Sequence, residues 1–206
     1  MPELAEQPIP AAGAAGPGAS RRRWILVGSF TAVMVLIAAL TGLFIYGFFV
    51  KPRVVKSPLV HKPALDFSLT EMNTGEQATL VSLRGTPFLL NFWASWCVAC
   101  KEEAHLLEAA YQKWGQDPKK FRVIGVAIQD TPKAAKAFAK RFGKTYFLAL
   151  DDEAGDLSLN YGLYGVPETF FIDAKGIIRY KQIGPVTPEV LQEWIPKLMQ
   201  EASQAN

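Results

Sequence analysis

Only two cysteines and two histidines occur in this chain of 206 residues. So few cysteines exclude a scaffold stapled by several disulfides. A tetrahedral zinc centre needs four ligands, and beyond the cysteines only His61, in a proline-flanked stretch, and His105, within a helical pattern, are there to contribute. No metal site is expected. Covalent haem attachment requires histidine directly after the second cysteine of a pair, where this chain carries Lys101, and no bound cofactor is expected. Charge of one sign is also scarce. The net charge is +3, but six of the 22 basic residues and only two of the 19 acidic ones precede Ser57, so the remainder is near neutral. Nucleic-acid binding has no electrostatic footprint there.

What the chain does contain is an uncharged run of 27 residues, Trp24 to Val50. As a helix it would extend about 40 Å, enough to cross a bilayer with some tilt. The apolar core of a cleavable signal peptide is about 7 to 15 residues long and ends on small side chains. This run ends on Tyr46, Phe48 and Phe49, so an uncleaved transmembrane anchor is expected over residues 24–50. Arg21, Arg22 and Arg23 read as its charged flank rather than as a twin-arginine export signal. They face Lys51, Arg53, Lys56 and Lys62 on the other side, so the basic residues leave the orientation open. Residues 1–20, rich in Ala, Gly and Pro with no apolar period, read as a disordered tail. Residues 51–62 read as a semi-rigid tether, and residues 63–202 as one domain large enough to bury a core.

Within that domain, Pro63 to Thr70 alternates as a strand, and Asn73-Thr74-Gly75 marks a turn before a second strand over Ala78 to Leu83. Phe88 to Trp93 is a continuous apolar run, the mark of a strand buried on both faces. A helix is predicted from Cys97 to about Trp114, with Leu106, Leu107, Ala110, Tyr111 and Trp114 spaced for a buried stripe. Phe121 to Ile128 reads as a strand, Pro132 to about Gly143 as a helix, Tyr146 to Leu150 as a short strand, and Asp151 to Tyr161 as a loop with a helical turn. Thr169 to Ile172 and Ile177 to Ile183 flank the turn Asp173-Ala174-Lys175-Gly176 as a hairpin, and Pro188 to Gln200 closes the chain as an amphipathic helix. That order predicts an α/β thioredoxin fold with an N-terminal β-hairpin extension, preceded by a single transmembrane helix.

Cys97-Val98-Ala99-Cys100 places two sulfurs one turn apart where the apolar run gives way to the helix. Free backbone N–H groups and the positive end of the helix dipole favour a thiolate there. A disulfide across so short a loop constrains little unfolded-chain entropy, which argues against a purely stabilising role and for exchange. Cys97, nearest the helix end, is the candidate attacking thiol, and Cys100 the candidate resolving one. Trp96 is either a contact platform for substrate or a core filler. Glu103 lies three residues after Cys100, so on a helix it projects from the same side. It is equally a solvated surface charge. Lys101, Glu102 and Glu108 read as ordinary surface charges, and His105 as packing or solvent-facing.

Asn91-Phe92-Trp93-Ala94-Ser95-Trp96-Cys97-Val98-Ala99-Cys100, followed by Gly162-Leu163-Tyr164-Gly165-Val166-Pro167-Glu168-Thr169 and Gly176-Ile177-Ile178-Arg179-Tyr180, resembles the membrane-anchored, thioredoxin-like thiol:disulfide interchange proteins of cytochrome c biogenesis. The likeness runs over essentially residues 63–200. It implies a protein-disulfide reductase, anchored in the bacterial inner membrane with its C-terminal domain in the periplasm. It further implies electrons received from a transmembrane thiol donor and apocytochrome c haem-binding cysteines as substrate. A monomer is expected. The resemblance also implies a cis Val166–Pro167 bond beside the disulfide, where exposed backbone can pair with an extended substrate segment. It places Glu103 and Glu168 among acidic groups around the site, where a carboxylate can raise the inner thiol's pKa or take its proton. The chain departs from the family at Ala99 and His105, where many relatives carry proline, which leaves its redox poise open. Two other functions compete: a general extracytoplasmic oxidase or isomerase, and a non-enzymatic copper-delivery or chaperone module. The latter would be expected to use a wider cysteine spacing and a distant histidine.

Overall fold

The computed structural model describes residues 18–49, 57–152 and 154–204. The expected tail up to residue 17 and tether over residues 51–56 lie outside the described residues. The chain divides into two units, Met1–Val55 and Lys56–Asn206. In the first, α1 spans Gly18–Phe49, and its Val27–Ile45 stretch is long and apolar enough to cross a membrane. Its threonines turn their hydroxyls inward: Thr31 donates to the Val27 carbonyl at 2.6 Å and Thr41 to the Ile37 carbonyl at 2.8 Å. A polar group on an apolar helix needs such an internal partner when no water is at hand.

The second unit begins with a short antiparallel ribbon, β1 (Ser68–Thr70) and β2 (Gln77–Thr79). Both strands are shorter than their apolar patterns predict. Pro63 makes only an isolated bridge with Ile177. After Thr79 the chain turns at once, because the Thr79 N–H donates to the Ser82 hydroxyl at 2.9 Å and the Ser82 N–H donates to the Thr79 hydroxyl at 3.1 Å. Next come β3 (Phe88–Trp93), α2 (Val98–Trp114), β4 (Arg122–Ala127), α3 (Pro132–Arg141) and β5 (Phe147–Leu150). The chain closes with α4 (Asp156–Asn160), β6 (Glu168–Ile172), β7 (Ile178–Ile183) and α5 (Pro188–Gln204).

The five longer strands form one mixed sheet in the order β5-β4-β3-β6-β7, with β3 parallel to β4 and antiparallel to β6. This is the thioredoxin-like α/β arrangement. All six residues of β3 are buried, and strand alternation sends them to two cores. Leu89 and Trp93 pack with Cys97, Cys100 and Leu107 on one side, together with Phe138 and Phe171. Phe88, Leu90 and Phe92 pack with Ile124, Tyr161, Phe170 and Ile172 on the other. Burial of each such side chain stabilises by about 1.5 to 3 kcal/mol, so β3 is anchored from both sides and its C-terminal end is a fixed platform for the cysteine loop.

Candidate active site

Four residues separate the end of β3 from the start of α2, and each of the first three is held in place. The Ser95 N–H donates to Asp130 Oδ2 at 2.6 Å and the Ser95 hydroxyl to Asp130 Oδ1 at 2.8 Å. The Trp96 indole N–H donates to the Gln129 carbonyl at 3.1 Å, and Gln129 adopts a left-handed φ of 48° to present it. Ala94 O accepts the Cys97 N–H at 3.2 Å. The loop is thereby clamped to the β4–α3 connection. Trp96 stays 57% exposed, and with the exposed Val98 it forms an apolar rim around the first cysteine. A groove of about 850 Å³ runs from Trp96 past Asp130 and Leu150 to Leu159.

Cys97 and Cys100 form a disulfide, with Cα atoms 5.3 Å apart. Cys97 is the N-cap of α2, in extended conformation, and its Sγ accepts the Cys100 N–H at 3.0 Å. A sulfur so placed takes the role that serine or aspartate ordinarily fills at a helix start, and the same N–H and the positive helix end favour a thiolate once the disulfide opens. Both residues are buried, Cys97 at 6% exposed and Cys100 with no exposed surface, so Cys97 lies marginally closer to solvent. Val166 and Pro167 lie alongside. Their peptide bond is cis, and the Val166 carbonyl oxygen sits 3.5 Å from Cys97 Sγ.

Glu103 occupies the buried face of α2, one turn beyond Cys100, and is only 1% exposed. The solvated alternative is thereby excluded. Its Oε1 accepts from Asn91 Nδ2 at 2.8 Å and its Oε2 from the Val186 N–H at 2.9 Å. Asn91 Nδ2 also donates to the Thr169 hydroxyl at 2.9 Å. Burial raises the Glu103 carboxyl above its ordinary range, while the Val186 and Asn91 donors and the charge of Lys144 pull it partly back.

Glu168 is not brought to this cluster. It pairs with Phe92 in the β3–β6 register and shares the strand face of Phe170 and Ile172, the side of the sheet away from α2. There its Oε2 forms a buried ion pair with Lys181 Nζ at 2.7 Å, and its Oε1 accepts the Tyr164 N–H at 2.9 Å. Lys101, Glu102 and His105 are exposed, and Glu108 holds Thr145 through both its N–H and its hydroxyl. Sequence reasoning passes over Asn91, Asp130 and Lys144 as participants. For Asn91 a signal exists, since an amide in the middle of a six-residue apolar strand must find a partner.

The match to the AhpC/TSA family spans residues 60–181. The thiol:disulfide interchange protein DsbE of Allochromatium vinosum is 39% identical over 165 residues, covering 80% of this chain and 88% of that protein. DsbE of Escherichia coli (strain K12) is 37% identical over 155 residues, covering 74% and 80%. Among solved structures, a thiol:disulfide interchange protein of the thioredoxin family from Chlorobium tepidum superposes with a TM-score of 0.59 at 24% identity, over 66% of this chain and 95% of that one, a likeness that shows the fold.

Proposed function

The chain belongs to the AhpC/TSA family and to the DsbE thiol:disulfide interchange proteins, and from that premise we propose that it is a tethered reductant of protein disulfides acting on the haem-binding cysteines of apocytochrome c. That it is a thiol-disulfide oxidoreductase follows from the family and the paired cysteines. In the proposed cycle the Cys97 thiolate attacks a substrate disulfide, forming a mixed disulfide and releasing one substrate thiolate. Cys100 then gives up its proton and attacks Cys97 sulfur. The bond to substrate breaks, the second substrate sulfur leaves as thiolate, and the Cys97–Cys100 disulfide remains for a transmembrane thiol donor to reduce.

The observation that carries this reading is the unequal placement of the two cysteines, Cys97 capping the start of α2 beside the exposed Trp96 and Val98, Cys100 inside the helix with no exposed surface. In this cycle Cys97, at the helix start, is the cysteine that meets the incoming disulfide. Trp96, Val166 and Pro167 are the substrate contacts: Val166 offers a carbonyl beside the sulfur, suited to an extended segment added as a strand. The Val27–Ile45 stretch supports a membrane anchor, and its assignment to the bacterial inner membrane rests on the family likeness. Placement of the domain in the periplasm rests on the family likeness and on the persistence of exchange-active disulfides in oxidising compartments. Expression of a Cys100→Ala variant in the membrane tests the substrate, because the mixed disulfide then cannot be resolved. Apocytochrome c recovered on Cys97 is the expected outcome. A broad set of secreted proteins with no cytochrome among them overturns the substrate assignment.

A further inference from the structure

Among the described residues, four buried polar atoms without a hydrogen-bond partner gather on the α2 side of the sheet: Asn91 Oδ1, Trp93 Nε1, Lys144 Nζ and Tyr146 Oη. Gly125 is the centre of the group. It pairs with Asn91 in the β3–β4 register, and a Cβ on it would lie 3.0 Å from both Trp93 Nε1 and Tyr146 Cε2, so glycine is what lets these side chains converge. Lys144 Nζ sits 3.8 Å above the Trp93 ring centroid, with the Phe138 and Tyr146 rings at 5.4 and 5.5 Å. This is an ammonium caged by aromatic faces, with no hydrogen-bond acceptor among the described residues. An unpaired lysine taken out of water is costly, and the cage is only one source of compensation.

The charged groups that act on Lys144 from the packed elements are Glu103 and Glu108 of α2, and the titratable Tyr146 beside β5 faces it with its ring. On its outer side it borders a cleft of about 500 Å³ with Glu71, Glu76 and Arg122. Glu76 is engaged by Arg122 at 2.7 Å, and Glu71 accepts the N–H groups of Asn73 and Thr74. Glu108 is taken by the Thr145 N–H at 2.8 Å and hydroxyl at 2.6 Å. Glu103 is the remaining carboxylate, with only neutral donors around it.

We propose that Lys144 is a positioning residue for disulfide exchange: its ammonium holds the Glu103 carboxylate ionised, so that Glu103 accepts the Cys100 proton as that sulfur attacks the mixed disulfide. The Cys100 S–H bond breaks toward Glu103, the Cys100–Cys97 bond forms, and the substrate sulfur departs as thiolate. This rests on the exchange cycle proposed above and on Glu103 as its base. Burial lowers the Lys144 ammonium to about 7, so the support is present in the acid to neutral range and fades above it.

The test uses the reduced full-length protein and an aromatic disulfide reagent whose released thiolate absorbs visible light. The first release reports attack by Cys97 and the second reports resolution by Cys100. Lys144→Met slows the second release about tenfold at pH 7 and moves its pH inflection up by about one unit, and Lys144→Arg restores the rate. Lys144→Gln serves as a second neutral variant should methionine not fold. Glu103→Gln abolishes the inflection. An unmoved inflection in both neutral variants overturns the role of Lys144 even if Glu103→Gln removes it. An inflection that survives Glu103→Gln overturns Glu103 as base and the proposal with it.

Discussion

The side-chain amide of Asn91 donates to Glu103 at 2.8 Å, from the middle of β3 to the buried face of α2. The buried carboxylate one helical turn beyond the inner cysteine is thus fastened to the sheet, and its second oxygen to the backbone of Val186. Its proton affinity is set by the interior it occupies. Solvent screening, which weakens most surface charges, does not reach it.

Lys144 makes stability depend on pH. In the unfolded chain its ammonium titrates at its ordinary 10.5, in the folded one at about 7. Between those values the unfolded state holds a proton that the folded state lacks, so stability rises with pH across this window by about 1.4 kcal/mol per unit and is lost as pH falls back toward 7. Denaturant unfolding of the oxidised protein and of Lys144→Met at pH 7 and 9 measures it. The wild type gains on the variant between the two values, and equal gains refute the shift.

Glu168 and Lys181 form a buried pair at 2.7 Å on the far side of the sheet. Removing one partner leaves an uncompensated charge, at a cost of about 3 to 5 kcal/mol for Glu168→Leu or Lys181→Met alone. The double variant recovers most of that loss. A double-mutant cycle by chemical denaturation checks the coupling, and additive losses contradict it.

Asp130 carries the clamp on the cysteine loop. Asp130→Asn keeps the shape but turns one acceptor into a donor facing a Ser95 group, at a cost of about 1 to 3 kcal/mol. Thermal unfolding shows the loss. Alkylation of Cys97 in the reduced variant shows its local effect, with a changed rate expected because the Ser95–Trp96 segment no longer holds its position.

The junction of β3 and α2 is legible in the sequence because a six-residue apolar run and a cysteine pair at helical spacing are both local signals. The side of α2 that carries Glu103 is not. Spacing puts it beside Cys100, but only Asn91, Thr169 and Val186, brought together by the sheet and the loop before α5, decide that it is buried. For Glu168, its place directly after Pro167 suggests nearness to the sulfurs, whereas strand alternation counted back from Phe170 turns it to the other face. Lys144 follows Gly143 and reads as a loop cation. Its cage is assembled from three separate segments that carry Trp93, Phe138 and Tyr146, and no local pattern announces it.

The fastening of Glu103 reaches β3 and, through Val186, the segment leading into α5, with Asn91 adding the link to β6. A fluctuation that frees the first turns of α2 must also strip a partner from each of two distant segments, β3 and the stretch leading into α5. Breathing of the catalytic helix is therefore opposed by the sheet and by the segment before α5 together, which ties the redox centre to the body of the domain.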